Sequence, residues 1–164
     1  MPLIVMCGRP GSGKTTRAKE LKAYFEGEHK LEVILLNEEG LGIDRNYSYS
    51  NPVREKEMRG LFRSHVEKNL TNKNVVILDT VNYIKGLRYE LYCLARSAKS
   101  TNCVVYCETP VDLARKWNKE KDAAQQYSDE IFEDVTLRME EPNSRSTLQP
   151  YHRPLGCSTV RHSS

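Results

Sequence analysis

The sequence has no long hydrophobic run, and its apolar stretches are no longer than a typical β-strand. The first of them, Leu3–Cys7, is too short for the apolar core of a secretory signal peptide and has no charged start. No segment approaches the ~20 consecutive apolar residues of a membrane-spanning helix. We therefore expect a soluble protein with no membrane partner.

The five cysteines lack the C-x-x-C spacing of zinc and dithiol sites, and no pairing with histidines suggests a metal framework. Cys103 and Cys107 lie an even number of residues apart in an apolar run, so a strand would place both on one face. Buried, reduced thiols explain this pattern better than a zinc or redox site. They favour a reducing compartment, the cytosol or the nucleus.

Charge of either sign is also not in large excess, because 25 basic and 22 acidic residues leave a net charge of +3. This value neither requires nor excludes a nucleic-acid partner. The 164 residues suffice for one domain with a proper core.

Four short, nearly continuous apolar runs are separated by longer polar segments with helical periodicity. Such runs are typical of strands covered on both faces. The alternation predicts an α/β fold, a parallel sheet flanked by helices, with Pro110 in the first turn of a late helix. The predicted strands are Leu3–Cys7, Val33–Leu36, Val75–Leu78 and Cys103–Cys107, and the clearest helices are Val53–Leu70, Pro110–Lys121 and Ser128–Glu140.

Residues 8–15 match the pattern G-x-x-x-x-G-K-[ST] between a predicted strand and a predicted helix. Glycines allow the backbone to approach phosphates closely, and N–H groups at the helix start point toward the anion. Lys14 is expected to face the β- and γ-phosphates, and the Thr15 hydroxyl to bind magnesium. The predicted phosphate-binding residues are Gly8, Arg9, Pro10, Gly11, Ser12, Gly13, Lys14, Thr15 and Thr16.

Acidic residues follow two of the predicted strands. Asp79 ends the run Val75–Leu78, at the edge of a parallel sheet where ligands bind, and is the second expected magnesium ligand. The alternative is a capping or turn aspartate. Glu38 or Glu39 ends the second strand and could orient or deprotonate the group that attacks the γ-phosphate. The alternative there is a solvated loop end.

Basic side chains must also neutralise the charge on the transferred phosphoryl group. The sequence offers several helical candidates and does not choose among them, since most helical cations are simply solvated. They are Arg54, Lys56, Arg59, Arg115, Lys119 and Arg138.

The segment from Leu78 to Cys93, LDTVNYIKGLRYELYC, closely resembles a motif of the Elongator-associated P-loop ATPase family of killer-toxin-insensitivity protein twelve. Residues 8–15, 54–60 and Arg138–Asn143 match further motifs of that family, so the resemblance extends from Met1 to about Arg145. It implies a P-loop NTPase fold of the kinase-like type, related to the kinase that phosphorylates seryl-tRNA of the selenocysteine pathway. The third strand should then lie between the second and the first.

The resemblance further implies ATP and Mg²⁺ as cofactors and ATP hydrolysis that supports Elongator in tRNA wobble-uridine modification. Descriptions of the family also invoke chromatin and transcription, so cytoplasm and nucleus are the expected locations. The catalytic candidates are Lys14, Glu38, Arg59 and Arg138. A kinase acting on a tRNA-bound or small-molecule hydroxyl, and a nucleotide-gated adaptor without turnover, remain alternatives, and the preference for ATP over GTP is open.

Two departures from the family pattern stand out. The family usually has Asp at the position of Glu38. It also continues beyond Arg145 with an Arg-Trp-Asp-Ser-Pro-Leu-Phe-like segment and then a helical domain that contributes to tRNA binding, whereas Ser146–Pro150 replace that segment here. We expect a nucleotide-binding domain over residues 1–145, an irregular, mobile tail over residues 146–164, and weak tRNA binding by this short form.

Tyrosines and cations alternate along the family motif at residues 83–92. They could form an aromatic and basic surface for RNA. Alternatively, the tyrosines pack a helix onto the sheet while the cations remain in water. The residues concerned are Tyr83, Lys85, Arg88, Tyr89 and Tyr92.

Overall fold

The computed structural model describes residues 2–143, which form one parallel sheet with helices on both faces. The strands are β1 (Pro2–Cys7), β2 (Glu32–Asn37), β3 (Asn74–Asp79) and β4 (Thr101–Tyr106). The helices are α1 (Lys14–Gly27), α2 (Arg45–Tyr49), α3 (Pro52–Asn69), α4 (Lys85–Ser97), α5 (Val111–Lys119) and α6 (Asp129–Leu137).

The strand order is β2-β3-β1-β4, and all three pairings are parallel. The α/β fold and the position of β3 between β2 and β1 are therefore as predicted. Leu78 is in register with Val5 on one side and with Leu36 on the other. Because the strands run together, the segments that follow β1, β2 and β3 all emerge at the same edge of the sheet.

Alternate residues of each strand belong to two separate cores, one on each face. Val5 and Leu78 pack on the face covered by α3, α4 and α6. Met6 and Ile77 pack on the face covered by α1. This burial on both sides explains why the strand sequences are continuously apolar. Cys103 and Cys107 lie on the same face, as predicted, and pack against the core under α1; the cysteines among residues 2–143 form no disulfide.

The structure differs from the predicted elements mainly in short or terminal segments. The α2 helix was not predicted because its five residues are too few to show a periodicity; Asp44 caps its N-terminus. Pro110 precedes α5 as its N-cap residue and does not lie in the first turn. The last helix ends at Leu137, three residues early, because Glu140 leaves the helix and its N–H donates to the Tyr83 carbonyl at 3.0 Å.

Residues 146–164 lie outside the described part of the chain, so the predicted tail stays a prediction. Within residues 2–143, none of the helices has the length and apolarity needed to cross a bilayer.

Candidate functional site

The glycine-rich loop connects β1 to α1 at the carboxyl edge of the sheet. Gly11 has φ +74°, and a Cβ added there would lie 2.2 Å from the Ala114 carbonyl oxygen. Only glycine therefore allows the loop to pack against α5 at this point. The loop ends at the N-terminus of α1, where free backbone N–H groups favour an anion.

The loop borders a cavity of about 430 Å³, counted out to its open mouth. We call this the phosphate cavity. Most of the predicted phosphate-binding residues line it, together with Glu38 and Asp79, whereas Gly8, Arg9 and Pro10 do not. Its lining is Gly11, Ser12, Gly13, Lys14, Thr15, Thr16, Glu38, Arg45, Asp79, Thr80, Lys121 and Tyr127.

Lys14 is buried at the base of the phosphate cavity, with 8% of its surface exposed. Its Nζ donates a hydrogen bond to the Arg9 carbonyl oxygen at 2.7 Å. Burial lowers the pKa of Lys14, and the nearby charge of Asp79 opposes this shift. The loop thus holds a desolvated ammonium group in position to bind an anion.

Arg9 itself turns away from the phosphate cavity. Its guanidinium forms an ion pair with the Glu141 carboxylate at 2.8 Å, which connects the loop to the segment after α6. The backbone N–H of Gly8 bonds to the Val81 carbonyl at 3.3 Å, which ties the start of the loop to the segment after β3.

Asp79 and Thr15 place two oxygen-bearing side chains on the phosphate cavity. Asp79 is the last residue of β3 and is 3% exposed. Residues 2–143 contain no cluster of three or more His, Cys, Asp or Glu side chains suited to a metal. One carboxylate and one hydroxyl fit magnesium, which keeps several waters and shares its remaining positions with phosphates.

The structure distinguishes between the two candidate glutamates. Glu38 is 2% exposed and lines the phosphate cavity, whereas Glu39 is exposed to solvent. Burial raises the pKa of Glu38, and the Arg45 guanidinium partly opposes the shift. The Tyr49 hydroxyl lies 3.5 Å from Glu38 Oε1, and Arg45 Nε lies 3.8 Å from Oε2. Both contacts restrict the orientation of the carboxylate.

Two cations of the phosphate cavity, Arg45 and Lys121, were not predicted. Arg45 lies on α2, donates to the Gln125 carbonyl at 2.7 Å and stacks over the Tyr127 ring. Lys121 follows α5; burial and the charges of Lys14 and Arg45 lower its pKa to about 8. Neither belongs to a recognisable motif, and only the fold brings them to the loop.

The catalytic candidates Arg59 and Arg138 lie away from the phosphate cavity. Arg59 Nη2 is 3.6 Å, and Arg138 Nη1 is 3.5 Å, from the carboxylate of the buried Glu55. Arg138 also pairs with Asp134.

The other basic candidates do not line the phosphate cavity either. Arg54 stacks over Tyr47, 3.9 Å from the ring centroid, and Lys56 is exposed on α3. The two α5 cations pair with acidic residues of α6, Arg115 with Glu133 and Lys119 with Asp129.

Two of the five residues that could form an RNA surface at residues 83–92 are buried. Tyr83 is 2% exposed and its hydroxyl donates to Glu55. Arg88 is 1% exposed and donates to the carbonyls of Asn82 and Glu140, each at 2.8 Å. These side chains instead fasten the motif to α3 and to the segment after α6. Tyr89, Tyr92 and Lys85 remain at least partly exposed.

Comparison with known proteins finds close relatives for most of the chain. A family model described as "Chromatin associated protein KTI12" matches residues 1–151. A KTI12 homolog of Danio rerio is 46% identical over 146 residues, covering 89% of this chain and 53% of the relative. The chain thus spans about half the length of the curated relatives it matches.

Solved structures support the same assignment. Chaetomium thermophilum Kti12, crystallised in complex with ADP-AlF3, has a TM-score of 0.83 and 35% identity, covering 93% of this chain and 88% of that chain. An APS kinase of Mycobacterium tuberculosis has a TM-score of 0.60 at 15% identity, covering 94% and 83%, and so supports the kinase-like P-loop fold alone. The chain belongs to the KTI12 family.

Proposed function

We propose that this protein binds ATP with magnesium in the phosphate cavity and hydrolyses it. The observation that carries the proposal is the meeting of the P-loop, Lys14, Asp79 and Glu38 around one cavity. These groups supply a phosphate cradle, a cation, a metal ligand and a buried carboxylate, which are the parts that phosphoryl transfer to water needs. The relative crystallised in complex with ADP-AlF3 adds support.

Phosphate binding is assigned to the loop N–H groups and to three cations. Lys14 is the cation at the base, while Arg45 and Lys121 approach from α2 and from the segment after α5. Because the side chain of Lys14 is buried, its charge stabilises the growing negative charge of the transferred phosphoryl group more strongly than it could in water. We propose Arg59 and Arg138 only as more distant contributors, since Glu55 holds both.

Asp79 and Thr15 are the residues that would hold magnesium. When bound, the ion neutralises phosphate charge. The protein's own task is to keep the Asp79 carboxylate fixed, and the last position of a central strand, 3% exposed, achieves this.

Glu38 is the proposed water-orienting carboxylate. Its raised pKa makes it a better proton acceptor than a solvated glutamate, and Tyr49 and Arg45 restrict its orientation. The family usually has aspartate at this position, and the aspartate side chain is shorter than that of glutamate. In this chain the longer Glu38 side chain lies beside Arg45.

Substitution of Glu38 by glutamine should slow the chemical step about a hundredfold while leaving ATP affinity within about threefold, because the amide cannot accept the proton. Single-turnover hydrolysis and equilibrium binding measure the two quantities separately. Glu39→Gln is the matched control, since Glu39 is exposed one residue away. A normal single-turnover rate in Glu38→Gln would remove this role from Glu38.

The affinity for ATP without magnesium should decrease as the pH rises above about 8. The anion binds protonated Lys121 more tightly, so binding raises the pKa of Lys121 from its free value of about 8. The affinity for ATP is therefore highest below about pH 8 and falls as the pH rises toward the pKa that Lys121 has in the complex. Lys121→Arg, which stays charged, should flatten the profile; an unchanged profile would assign the titration to another group, such as Lys14.

We further propose that this activity serves Elongator in tRNA wobble-uridine modification, in the cytoplasm and the nucleus. The basis is membership of a family described as chromatin associated and the family motif at residues 78–93. Phosphate release with and without added tRNA tests the tRNA connection, and co-purification with Elongator tests the partner.

Labelled γ-phosphate separates hydrolysis from the other two functions that the fold permits. Hydrolysis predicts label in free phosphate, a kinase predicts label in an acceptor, and a nucleotide-gated adaptor predicts ATP binding with negligible release of label. The same assay with GTP in place of ATP determines the base preference.

A further inference from the structure

The irregular segment between α5 and α6, residues 120–128, contributes to the wall of the phosphate cavity. We call it the connecting segment. Its residues Lys121 and Tyr127 line the cavity, and Arg45 of α2 lines it as well. The strands that precede α2 and α5 are β2 and β4, which lie at opposite ends of the sheet. The cations of the cavity therefore face one phosphate site only if α2 and the connecting segment are held together.

Asn46 of α2 holds these two parts of the chain together. Its Nδ2 donates to the Gln126 carbonyl at 3.0 Å, and its Oδ1 accepts from the Ser128 N–H at 2.8 Å. Both ends of one amide side chain thus bond to residues that lie 80 and 82 positions later in the sequence. The neighbouring Arg45 adds a third bond across the same contact, to the Gln125 carbonyl at 2.7 Å.

A second set of hydrogen bonds carries this restraint from residue 126 to Lys121. The Gln126 side-chain nitrogen donates to the Lys119 carbonyl at 2.7 Å and to the Lys121 carbonyl at 2.8 Å. The backbone of Gln126 is held by Asn46, and its side chain in turn fixes the backbone that carries Lys121. Only two steps therefore separate α2 from this cation, Asn46 to Gln126 and Gln126 to Lys121.

The connecting segment is also anchored to α5. The side chain of Asn118, which is 2% exposed, accepts from the Tyr127 N–H at 3.0 Å and donates to the Tyr127 carbonyl at 2.8 Å. Helix α5 itself packs against the phosphate loop at Gly11. Asn118 thus fixes the connecting segment relative to the loop, and Asn46 fixes it relative to α2.

We propose that Asn46 is a positioning residue for nucleotide binding. By holding α2 against the connecting segment, it keeps Lys121 directed at the triphosphate that the loop binds. Asn46 is not part of the lining of the phosphate cavity, so it acts through Lys121 and does not contact the nucleotide. This role rests on the proposed function, because it assigns how that site places one of its three cations.

A double-mutant cycle tests this role through the affinity for ATP without magnesium, measured with a fluorescent ATP analogue. Asn46→Ala and Lys121→Gln should each weaken binding about tenfold. The double variant should also bind only about tenfold more weakly than the wild type, because Lys121 is no longer in position once Asn46 is lost. Independent effects would instead multiply to about a hundredfold.

Gln126→Met provides a second variant, because it removes the bond to the Lys121 carbonyl but leaves the Gln126 backbone available to Asn46. It should weaken binding about tenfold, and adding Asn46→Ala to it should weaken binding little further. The matched control is Asn72→Ala, an exposed asparagine in the turn before β3, which should keep the wild-type affinity. Circular dichroism and thermal unfolding verify that each variant is folded.

The outcomes separate this role from the ATP site itself. Wild-type affinity in folded Asn46→Ala protein, or a hundredfold loss in the double variant with Lys121→Gln, would overturn the role of Asn46 and leave the proposed ATP site intact. Absence of ATP binding by the wild-type protein would overturn the proposed function and the role of Asn46 together.

Discussion

Replacing Lys14 with alanine is expected to weaken ATP binding at least about a hundredfold, which corresponds to roughly 3 kcal/mol. Lys14 is the buried cation at the base of the phosphate cavity, with its Nζ held by the Arg9 carbonyl. A triphosphate placed against the loop without it would keep the backbone N–H groups but lose a desolvated charge that solvent cannot replace. Equilibrium titration with a fluorescent ATP analogue measures the change.

The matched control for this experiment is Lys19→Ala, which removes a lysine of the same helix that is exposed to solvent. It should leave affinity unchanged. If Lys14→Ala kept the wild-type affinity with an intact circular dichroism spectrum, the P-loop assignment would be wrong.

The second large effect is expected for Asp79→Asn, which should reduce magnesium-dependent hydrolysis about a hundredfold or more. The substitution keeps the shape of the side chain at the end of β3 but removes the negative charge that favours a hard cation. Nucleotide affinity measured in EDTA should change far less, because the loop and Lys14 remain. Phosphate release as a function of magnesium concentration reads out the difference.

Asp112→Asn is the control here, since Asp112 is an exposed aspartate at the start of α5. An Asp79→Asn protein that hydrolyses ATP at the wild-type rate and with the same magnesium dependence would show that Asp79 does not bind the metal.

The sequence identifies those parts of the site that belong to continuous motifs. Residues 8–15 predict a phosphate loop, and the run that ends in Asp79 predicts a ligand at the sheet edge; the structure brings both to the same cavity. The strand order follows from the kinase-like resemblance. In each case a local pattern and a simple topology are sufficient, because parallel strands necessarily place their carboxyl ends together.

Two cations of the phosphate cavity could not be predicted from the sequence. Arg45 lies on a helix of five residues, and Lys121 follows α5 in a segment without regular structure. Both reach the cavity through long-range packing, such as the Arg45 bond to the Gln125 carbonyl. Conversely, Arg59 and Arg138 belong to family motifs, but both form ion pairs with the carboxylate of Glu55 and do not line the phosphate cavity. The presence of a basic residue in the sequence does not show whether its side chain points toward the cavity or toward another partner.

Burial also removes two residues from the RNA surface that the sequence allows at residues 83–92. A tyrosine and an arginine there could form a surface for RNA, but Tyr83 and Arg88 are buried. The Tyr83 hydroxyl donates to the Glu55 carboxylate, and Arg88 donates to the Asn82 carbonyl. Their burial depends on contacts that are distant in the sequence: the Glu140 carbonyl accepts from Arg88, and the Glu140 N–H donates to the Tyr83 carbonyl.

The proposed function depends most directly on whether the phosphate cavity turns over ATP. Release of inorganic phosphate from γ-labelled ATP, in the presence of magnesium and with tRNA added or omitted, tests this in one assay. We predict release of free phosphate that Lys14→Ala and Asp79→Asn both strongly reduce. ATP binding with no phosphate released under either condition, or label found in an acceptor instead of in free phosphate, would contradict it.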